Sequence, residues 1–252
     1  MPERRHSCHC GVRLRSIHQA LGKIGLLAIA LGLAGCQHAP APATDTSASL
    51  QWTDDWQPFV LPGKRATAYS ARFADGRWVL HAQSERSASM YRRSLRIEPG
   101  QLGNVTFSWK AASLLPDADV RESETGDAVV RVMLAFDGNP SRLSARTRMM
   151  FDLMQSLSGE PPPFATLMYV WDSQAEVGSV VLNKRSDRIR KIVLESGPTH
   201  LGQWRRYERD VRADYRRAFG EDPGALIGLA VMTDSDNTQS RAEAWYGEIR
   251  LH

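Results

Sequence analysis

The sequence predicts a mainly β domain, a two-sheet antiparallel β-sandwich of jelly-roll type with one or two short helices. Short apolar or alternating segments recur along the chain, and turn residues such as Asp75-Gly76 and Pro99-Gly100 separate them. Only two segments have helical spacing. Residues 52–252 contain neither a linker nor a repeat, so we expect one domain there, and many strands with few helices favour two packed sheets.

The strand predictions rest on alternation between apolar and polar residues. In the segment 128–137, Val130, Val132 and Leu134 share one face, whereas Arg131 and Met133 share the other. Similar segments predict strands at 66–73, 78–83, 105–110, 128–136, 166–171, 188–195, 203–208, 225–233 and 242–251.

Two helices are predicted, at 142–157 and 211–219. The first ends before Gly159 and the three prolines that follow it, and the second has three apolar residues spaced four apart. The apolar face expected to be buried in the first helix consists of Leu143, Thr147, Met150, Phe151, Met154 and Leu157.

The first 36 residues have the order of an export signal. A basic segment is followed by an apolar run at 24–35, which is about 18 Å long as a helix and too short to span a bilayer core of about 30 Å. The run ends in Leu33-Ala34-Gly35-Cys36, which resembles the bacterial lipobox at every position. The alternative is an ordinary secretory peptide with an incidental cysteine.

The lipobox resemblance implies a signal peptide at 1–35, a lipid on Cys36 and a flexible, Ala- and Pro-rich tether over 36–51. It also implies attachment to a membrane through that lipid. Gln37 follows the cysteine, which by resemblance to Gram-negative sorting favours the outer membrane. The basic segment is long, so a start near Val12 remains an alternative to Met1.

Removing the predicted leader changes the bulk properties of the chain. The leader holds five of the 32 basic residues and one of the 28 acidic residues, which leaves 27 of each sign. The basic pI is therefore no sign of nucleic-acid binding. All three cysteines lie in the first 36 residues, so we expect neither a disulfide nor a thiolate site in the domain.

A specific set of motifs identifies the family that the domain resembles. The combination matches the bacterial domain of unknown function family 3047 over about 56–251, but implies no activity. The motifs are Thr106-Phe-Ser-Trp-Lys110, Gly126-Asp-Ala-Val-Val-Arg-Val132, Phe136-Asp-Gly138, Ala165-Thr-Leu-Met-Tyr-Val-Trp171, Glu195-Ser-Gly197, Gly202-Gln-Trp204, Asp210-Val-Arg-Ala-Asp-Tyr-Arg-Arg-Ala-Phe219, Met232-Thr-Asp-Ser-Asp-Asn-Thr238 and Trp245-Tyr-Gly-Glu-Ile249.

The last third of the chain also resembles jelly-roll carbohydrate-binding modules of the galactose-binding-like type. Such modules often carry an acid in the final strand that binds a structural calcium, and Glu248 lies at the matching place. Asp234, Asp236 and Asn237 could supply further oxygen ligands, since calcium prefers six to eight of them. The alternative is a cluster of Asx turns at a strand end. A structural calcium is the cofactor that these residues suggest.

Ligand-binding candidates come from aromatic and charged residues on predicted strands. Flat rings pack on sugars while polar groups bind hydroxyls, although most tryptophans in sandwiches pack in the core. Asp127 and Arg131 have the same parity, which suggests an ion pair on one face, of binding or merely structural character. The candidates are Trp109, Lys110, Asp127, Arg131, Tyr169, Trp171 and Glu195.

The sequence lacks the nucleophile elbow, the zinc-protease motif and the nucleotide-binding glycine motifs. Acids sufficient for a glycosidase pair remain, namely Asp127, Glu195, Asp210, Asp214, Asp234 and Glu248. We therefore expect a cell-envelope lipoprotein that acts as a non-catalytic binding module for carbohydrate or another envelope polymer. The alternatives are a carboxylate-based glycan hydrolase and a structural lipoprotein that binds an envelope protein.

Overall fold

The structure is a computed structural model that describes residues 49–50, 52 and 55–252. The predicted signal peptide, the lipidation site at Cys36 and residues 37–48 of the tether lie outside these residues. The described part forms two β-sheets and contains two α-helices, so the prediction of a mainly β sandwich with few helices is confirmed.

The first sheet has seven strands, and every pair in it is antiparallel. They are β1 (Ser49–Leu50), β3 (Ala68–Ala74), β4 (Arg77–Glu85), β6 (Asn104–Ala111), β11 (Arg205–Asp210), β13 (Arg241–Tyr246) and β14 (Ile249–Leu251). Their order is β1-β14-β6-β13-β4-β3, and β11 pairs with the other edge of β6. The end of this sheet at which β4 begins carries the candidate site described below.

The second sheet also has seven strands, in the order β2-β5-β12-β7-β8-β10-β9. They are β2 (Gln57–Val60), β5 (Ala88–Ile97), β7 (Arg131–Phe136), β8 (Ala165–Asp172), β9 (Val180–Leu182), β10 (Ile189–Ser196) and β12 (Leu226–Asp234). The pair β8–β10 is parallel, which corrects the expectation of a wholly antiparallel sheet. It arises because β9 occupies the edge and the returning chain enters between β8 and β9.

The main core lies between the two sheets. Val132, Leu134 and Phe136 of β7 face it as the alternation predicted, and they meet Phe107 and Trp109 of β6 there. A smaller apolar cluster lies on the outer face of the second sheet, where Val120 and Ala128 of the 112–130 segment cover it. The second sheet is therefore buried on part of both faces, whereas the first is covered on one.

The helices agree with the prediction in position but not in every contact. α1 (Ala145–Ser158) begins after Ser144, which accepts a hydrogen bond from the amide of Thr147, and α2 (Val211–Phe219) has the expected bounds. Phe151 packs against the core. Leu157 does not lie on the buried face as expected: it is exposed, together with Met149 and Leu153, because these residues follow a second stripe around the helix.

Several strands escaped the sequence prediction. β5 carries three arginines and three serines or alanines, so it shows no apolar run, and β2 and β9 are shorter than five residues. The predicted strand 242–251 is interrupted, and it forms β13 and β14 on either side of Gly247 and Glu248. Within the described residues, no helix is long and apolar enough to cross a membrane.

Candidate functional site

Three of the aromatic candidates pack in the core instead of facing a ligand. Trp109, Tyr169 and Trp171 are at most 1% exposed. The hydroxyl of Tyr169 donates to Asp214, and Nε1 of Trp171 donates to the carbonyl of Gly197. These rings face inward because their strand parity matches that of the core residues of β6 and β8, so the structure gives them a packing role.

Glu195, another candidate, is buried at the end of β10 and already has several partners. Its carboxylate accepts hydrogen bonds from Nε of Arg205, from the hydroxyl of Tyr207 and, at 2.7 Å, from Nδ1 of His200. Burial by itself raises the pKa of Glu195, but these three hydrogen bonds outweigh it and lower that pKa. Glu195 is therefore ionised at neutral pH, and its carboxylate links β10 to Arg205 and Tyr207 of β11.

The predicted pairing of Asp127 with Arg131 is replaced by another ion pair. Arg131 binds both carboxylate oxygens of Asp234, with its Nε at 3.0 Å and a terminal nitrogen at 2.8 Å. Asp127 precedes β7 and accepts hydrogen bonds from the backbone amides of Asn237 and Thr238. The partner of Arg131 comes from β12, a contact that parity within one strand cannot predict.

The residues suggested for calcium are brought together only in part. Oxygens of Asp127, Asp234 and Asp236 lie within 4.8 Å of one another, whereas Glu248 pairs with Arg250 at another place. Within this acidic cluster, Arg131 neutralises Asp234, and the amine of Lys64 binds Asp236. The donor set fits calcium poorly, because two cationic side chains already occupy its carboxylates.

The first sheet has a gap between β4 and β6, where the last strand changes partners. β13 pairs with β4 and with β6, but β14 pairs with β1 and β6. Gly247 and Glu248 form the step between β13 and β14, and β4 begins at Arg77 beside it. A Cβ on Gly247 would lie 2.2 Å from Oγ of Ser108, so a larger residue would require the serine hydroxyl to rotate away.

A pocket of about 260 Å³ opens at this gap. Its wall combines an exposed indole, hydroxyl groups, three guanidinium groups and one carboxylate. We call it the Trp78 pocket; its lining residues are Trp52, Arg77, Trp78, Thr106, Phe107, Ser108, Arg206, Glu248 and Arg250.

Trp78 enters the pocket from the side of the sheet opposite to Arg77, because Leu80 and Ala82 of the same parity in β4 face the core. Its side chain is 61% exposed, and the neighbouring Phe73, 65% exposed, meets it edge-on with ring centroids 5.9 Å apart. Exposed aromatic pairs of this kind are uncommon on a protein surface unless they contact a partner. The hairpin turn at Asp75 and Gly76, both with positive φ, brings the two rings together.

Arg77 is held over the pocket by its neighbours. Its guanidinium carbon lies 3.8 Å from the ring centroid of Trp204, and a terminal nitrogen lies 3.4 Å from Oγ of Ser108. Burial lowers the pKa of Arg77, and the charge of Arg206 adds to this shift while Asp75 opposes it. The two arginines are therefore close enough to repel each other.

A row of stacked side chains supports Arg77 on the outer face of the sheet. Nζ of Lys110 lies 4.6 Å from the ring centroid of Trp245 and 5.3 Å from that of Trp204. His81 stacks on Trp245, and Asp75 accepts hydrogen bonds from both Lys110 and Trp204. Of the predicted ligand candidates, Lys110 alone lies near the pocket. It does not line the pocket but contacts Trp204, which in turn contacts the lining residue Arg77.

The sequence interpretation missed Arg77 and Trp78 as a site. One signal was available, because a Trp directly after an Asp-Gly hairpin turn begins its strand at the rim of the sheet, where the core cannot cover it. Glu248 was selected as a calcium ligand; it lies instead in the wall of the pocket.

Together, the fold and the pocket define a β-sandwich domain with an aromatic and basic pocket in one of its sheets. The chain belongs to the family described as "Protein of unknown function (DUF3047)", whose model matches residues 54–250. The resemblance noted in the sequence is thus confirmed for the domain. No curated protein sequence matches this chain.

Solved structures with a similar course of the chain have low identity to it. The family 11 carbohydrate-binding module of the cellulosomal cellulase Lic26A-Cel5E of Clostridium thermocellum is 8% identical, with a TM-score of 0.42 over 81% of this chain and 92% of that chain. A thermostable cellulase derived from Cel12A of Rhodothermus marinus is 11% identical, with a TM-score of 0.40 over 79% and 92%. The xylan-binding module CBM86 from Roseburia intestinalis is 12% identical, with a TM-score of 0.26 over 78% and 94%.

Proposed function

We propose that this chain is a non-catalytic carbohydrate-binding lipoprotein of the bacterial cell envelope, and that the Trp78 pocket is its binding site. The observation that carries the proposal is the exposed ring of Trp78 beside a cluster of polar groups. A flat ring packs on the apolar face of a sugar, and nearby guanidinium, carboxylate and hydroxyl groups bind the sugar's hydroxyls.

The dimensions of the pocket support a small binding site. About 260 Å³ is slightly below the usual range of roughly 300–1,000 Å³ for pockets that bury a drug-sized molecule. One sugar unit of a longer chain fits such a space better than an entire oligosaccharide. The rest of the glycan would extend over the exposed rim formed by Phe73 and Trp78.

The alternative of a carboxylate-based hydrolase receives less support from the contacts of its candidate acids. Four of the six acids pair with an arginine: Asp234 with Arg131, Asp214 with Arg209, Glu195 with Arg205 and Glu248 with Arg250. Asp127 binds backbone amides, and Asp210 caps α2 through the amide of Ala213. Acids with such partners are poorly placed to deliver and take up a proton.

The location in the envelope is proposed from the sequence alone. A basic segment, a short apolar run and the lipobox at Cys36 support export, lipidation and attachment to the outer membrane. Labelling cells with a radioactive fatty acid tests this part. The chain should incorporate the label, and Cys36→Ser should abolish incorporation.

A glycan-binding assay tests the proposed site. The full-length chain, purified in detergent, is applied to a panel of neutral and acidic envelope polysaccharides, and retention is measured by affinity electrophoresis. Trp78→Ala should abolish retention. Leu182→Ala, which removes an equally exposed apolar side chain from the other sheet, should leave it unchanged. Equal retention of the wild type and of Trp78→Ala would contradict the proposal.

A further inference from the structure

The charge of the Trp78 pocket is markedly uneven. Three arginines line it, namely Arg77, Arg206 and Arg250, but Glu248 is the one acid in the lining. Glu248 pairs with Arg250 at 2.7 Å, so its charge is matched by that residue. Within the described residues, neither Arg77 nor Arg206 forms an ion pair with a carboxylate. Among the described lining residues, three guanidinium groups thus stand against one carboxylate, and Arg77 and Arg206 are the two without an acidic partner.

The concentration of arginines in the pocket is not a consequence of the composition of the domain. The chain after the predicted leader carries 27 basic and 27 acidic residues, so a basic pocket does not follow from its composition. Elsewhere on the described surface, exposed arginines such as Arg96 and Arg241 have acidic neighbours within 3.2 Å. Two arginines that line one pocket without such a neighbour form a suitable site for an anion.

We propose that the sugar bound in the Trp78 pocket is an acidic sugar whose anionic group binds Arg77 and Arg206 while its ring packs on Trp78. The inference rests on the proposed function and specifies its ligand class. The anionic group is a carboxylate, as in a uronic acid, or a phosphate ester, because the flat guanidinium fork binds two oxygens of either group.

The other groups of the pocket fit the remainder of such a sugar. The hydroxyls of Thr106 and Ser108 line the pocket; Thr106 also contacts Nε2 of His252 and Ser108 contacts Arg77, and each hydroxyl retains a further hydrogen-bonding site for a sugar hydroxyl. Nε1 of Trp52 is buried and has no acceptor among the described residues, so a ligand oxygen could accept from it. Trp204 fixes the orientation of Arg77 from behind, which prepares the guanidinium before the ligand arrives.

Paired glycans that differ only in charge test the inference. The full-length chain in detergent is titrated calorimetrically with a polyuronate and with the same polymer after reduction of its carboxyls to alcohols. A phosphorylated glycan and its dephosphorylated form make a second pair. At least one acidic polymer should bind about tenfold or more tightly than its neutral counterpart. The difference should shrink in 1 M salt, where the Debye length falls to about 3 Å.

Two variants assign the effect to the pocket. Arg206→Gln should remove the preference for the acidic polymer while keeping binding of the neutral one. Trp78→Ala should weaken binding of both. Arg241→Gln changes the net charge equally at the far end of β13 and should behave like the wild type.

The possible failures are distinguishable. Equal affinity for acidic and neutral polymers, lost in Trp78→Ala, would overturn the inference and leave the proposed function intact. An acidic preference that survives in Arg206→Gln would also overturn it, because the anion would then bind elsewhere. Absence of binding to every polymer would contradict the proposed function itself.

Discussion

Arg131 of β7 and Asp234 of β12 form a two-point ion pair with N–O distances of 3.0 and 2.8 Å, and both side chains are about 95% buried. Nε and one terminal nitrogen of the guanidinium bind the two carboxylate oxygens. Asp234 also accepts a hydrogen bond from the amide of Ala128, which lies in the 112–130 segment before β7. Burial raises the pKa of Asp234, and Arg131 opposes that shift. The pair thereby ties β12, β7 and the loop before β7 together.

Removing one member of this pair should severely destabilise the domain. Arg131→Met leaves Asp234 buried without its cation, and we expect a loss of about 3–5 kcal/mol in the free energy of unfolding, measured in urea. The double variant Arg131→Met/Asp234→Leu should lose less than the sum of the two single variants, since it leaves no unpaired charge. A loss below about 1 kcal/mol for Arg131→Met, as for an exposed ion pair, would contradict this account.

Lys191 should make stability depend on pH in the alkaline range. It is buried on β10, its amine donates to the carbonyl of Val120, and burial lowers its pKa to about 8. Because the unfolded chain keeps the proton up to about pH 10.4, it binds more protons than the folded chain between these values. The contribution of Lys191 to stability therefore rises with pH, by about 3 kcal/mol across the window.

The comparison with Lys191→Met isolates this contribution. The difference in unfolding free energy between the wild type and Lys191→Met should shift in favour of the wild type between pH 8 and pH 10. Both proteins contain the same tyrosines, so the contribution of the tyrosines to the pH dependence cancels in the difference. A difference in unfolding free energy that stays constant with pH would show that the pKa of Lys191 is not lowered in the folded protein.

The fold was largely predictable because most of its strands bury one face. Alternation identifies β7, whose Val132 and Leu134 face the core, and the same pattern marks most other strands. β5 was missed because Arg92 and Arg93 interrupt the apolar pattern, although the strand lies inside the second sheet. The parallel β8–β10 pair was also missed, since local periodicity contains no information about which strands become neighbours.

The site was less predictable, because it depends on contacts between distant parts of the chain. The sequence suggests Trp109 beside Lys110 as ligand candidates, but Trp109 is buried, and Trp204 and Trp245 flank the lysine. The Trp78 pocket exists because only β13 pairs with β4, whereas β14, after Gly247, pairs with β1 and β6, and the hairpin that bears Trp78 ends at that point. The sequence of the hairpin β3–β4 and that of the β13–β14 segment do not, taken one at a time, predict that the two meet and form a pocket.

The acidic cluster should bind calcium only after one of its cations is removed. In the wild type Lys64 binds Asp236, and Arg131 binds Asp234, so added calcium should not change the melting temperature. Lys64→Ala frees Asp236 beside Asp127, and calcium should then raise the melting temperature relative to EDTA. A calcium-dependent increase in the wild type, reversed by EDTA, would restore the calcium site that the sequence suggested.

Trp204 should act on ligand binding through Arg77 and not by direct contact. Its ring supports the guanidinium at 3.8 Å, a contact of about 0.5–2 kcal/mol when partly desolvated. Trp204→Leu should therefore weaken binding of an acidic polymer by about three- to thirtyfold, while binding of the carboxyl-reduced polymer stays within about twofold. Trp204→Phe keeps a ring but loses the hydrogen bond to Asp75, and it should recover most of the affinity if stacking is what positions Arg77. An equal loss for both polymers in Trp204→Leu would instead indicate that the whole rim of the pocket had shifted.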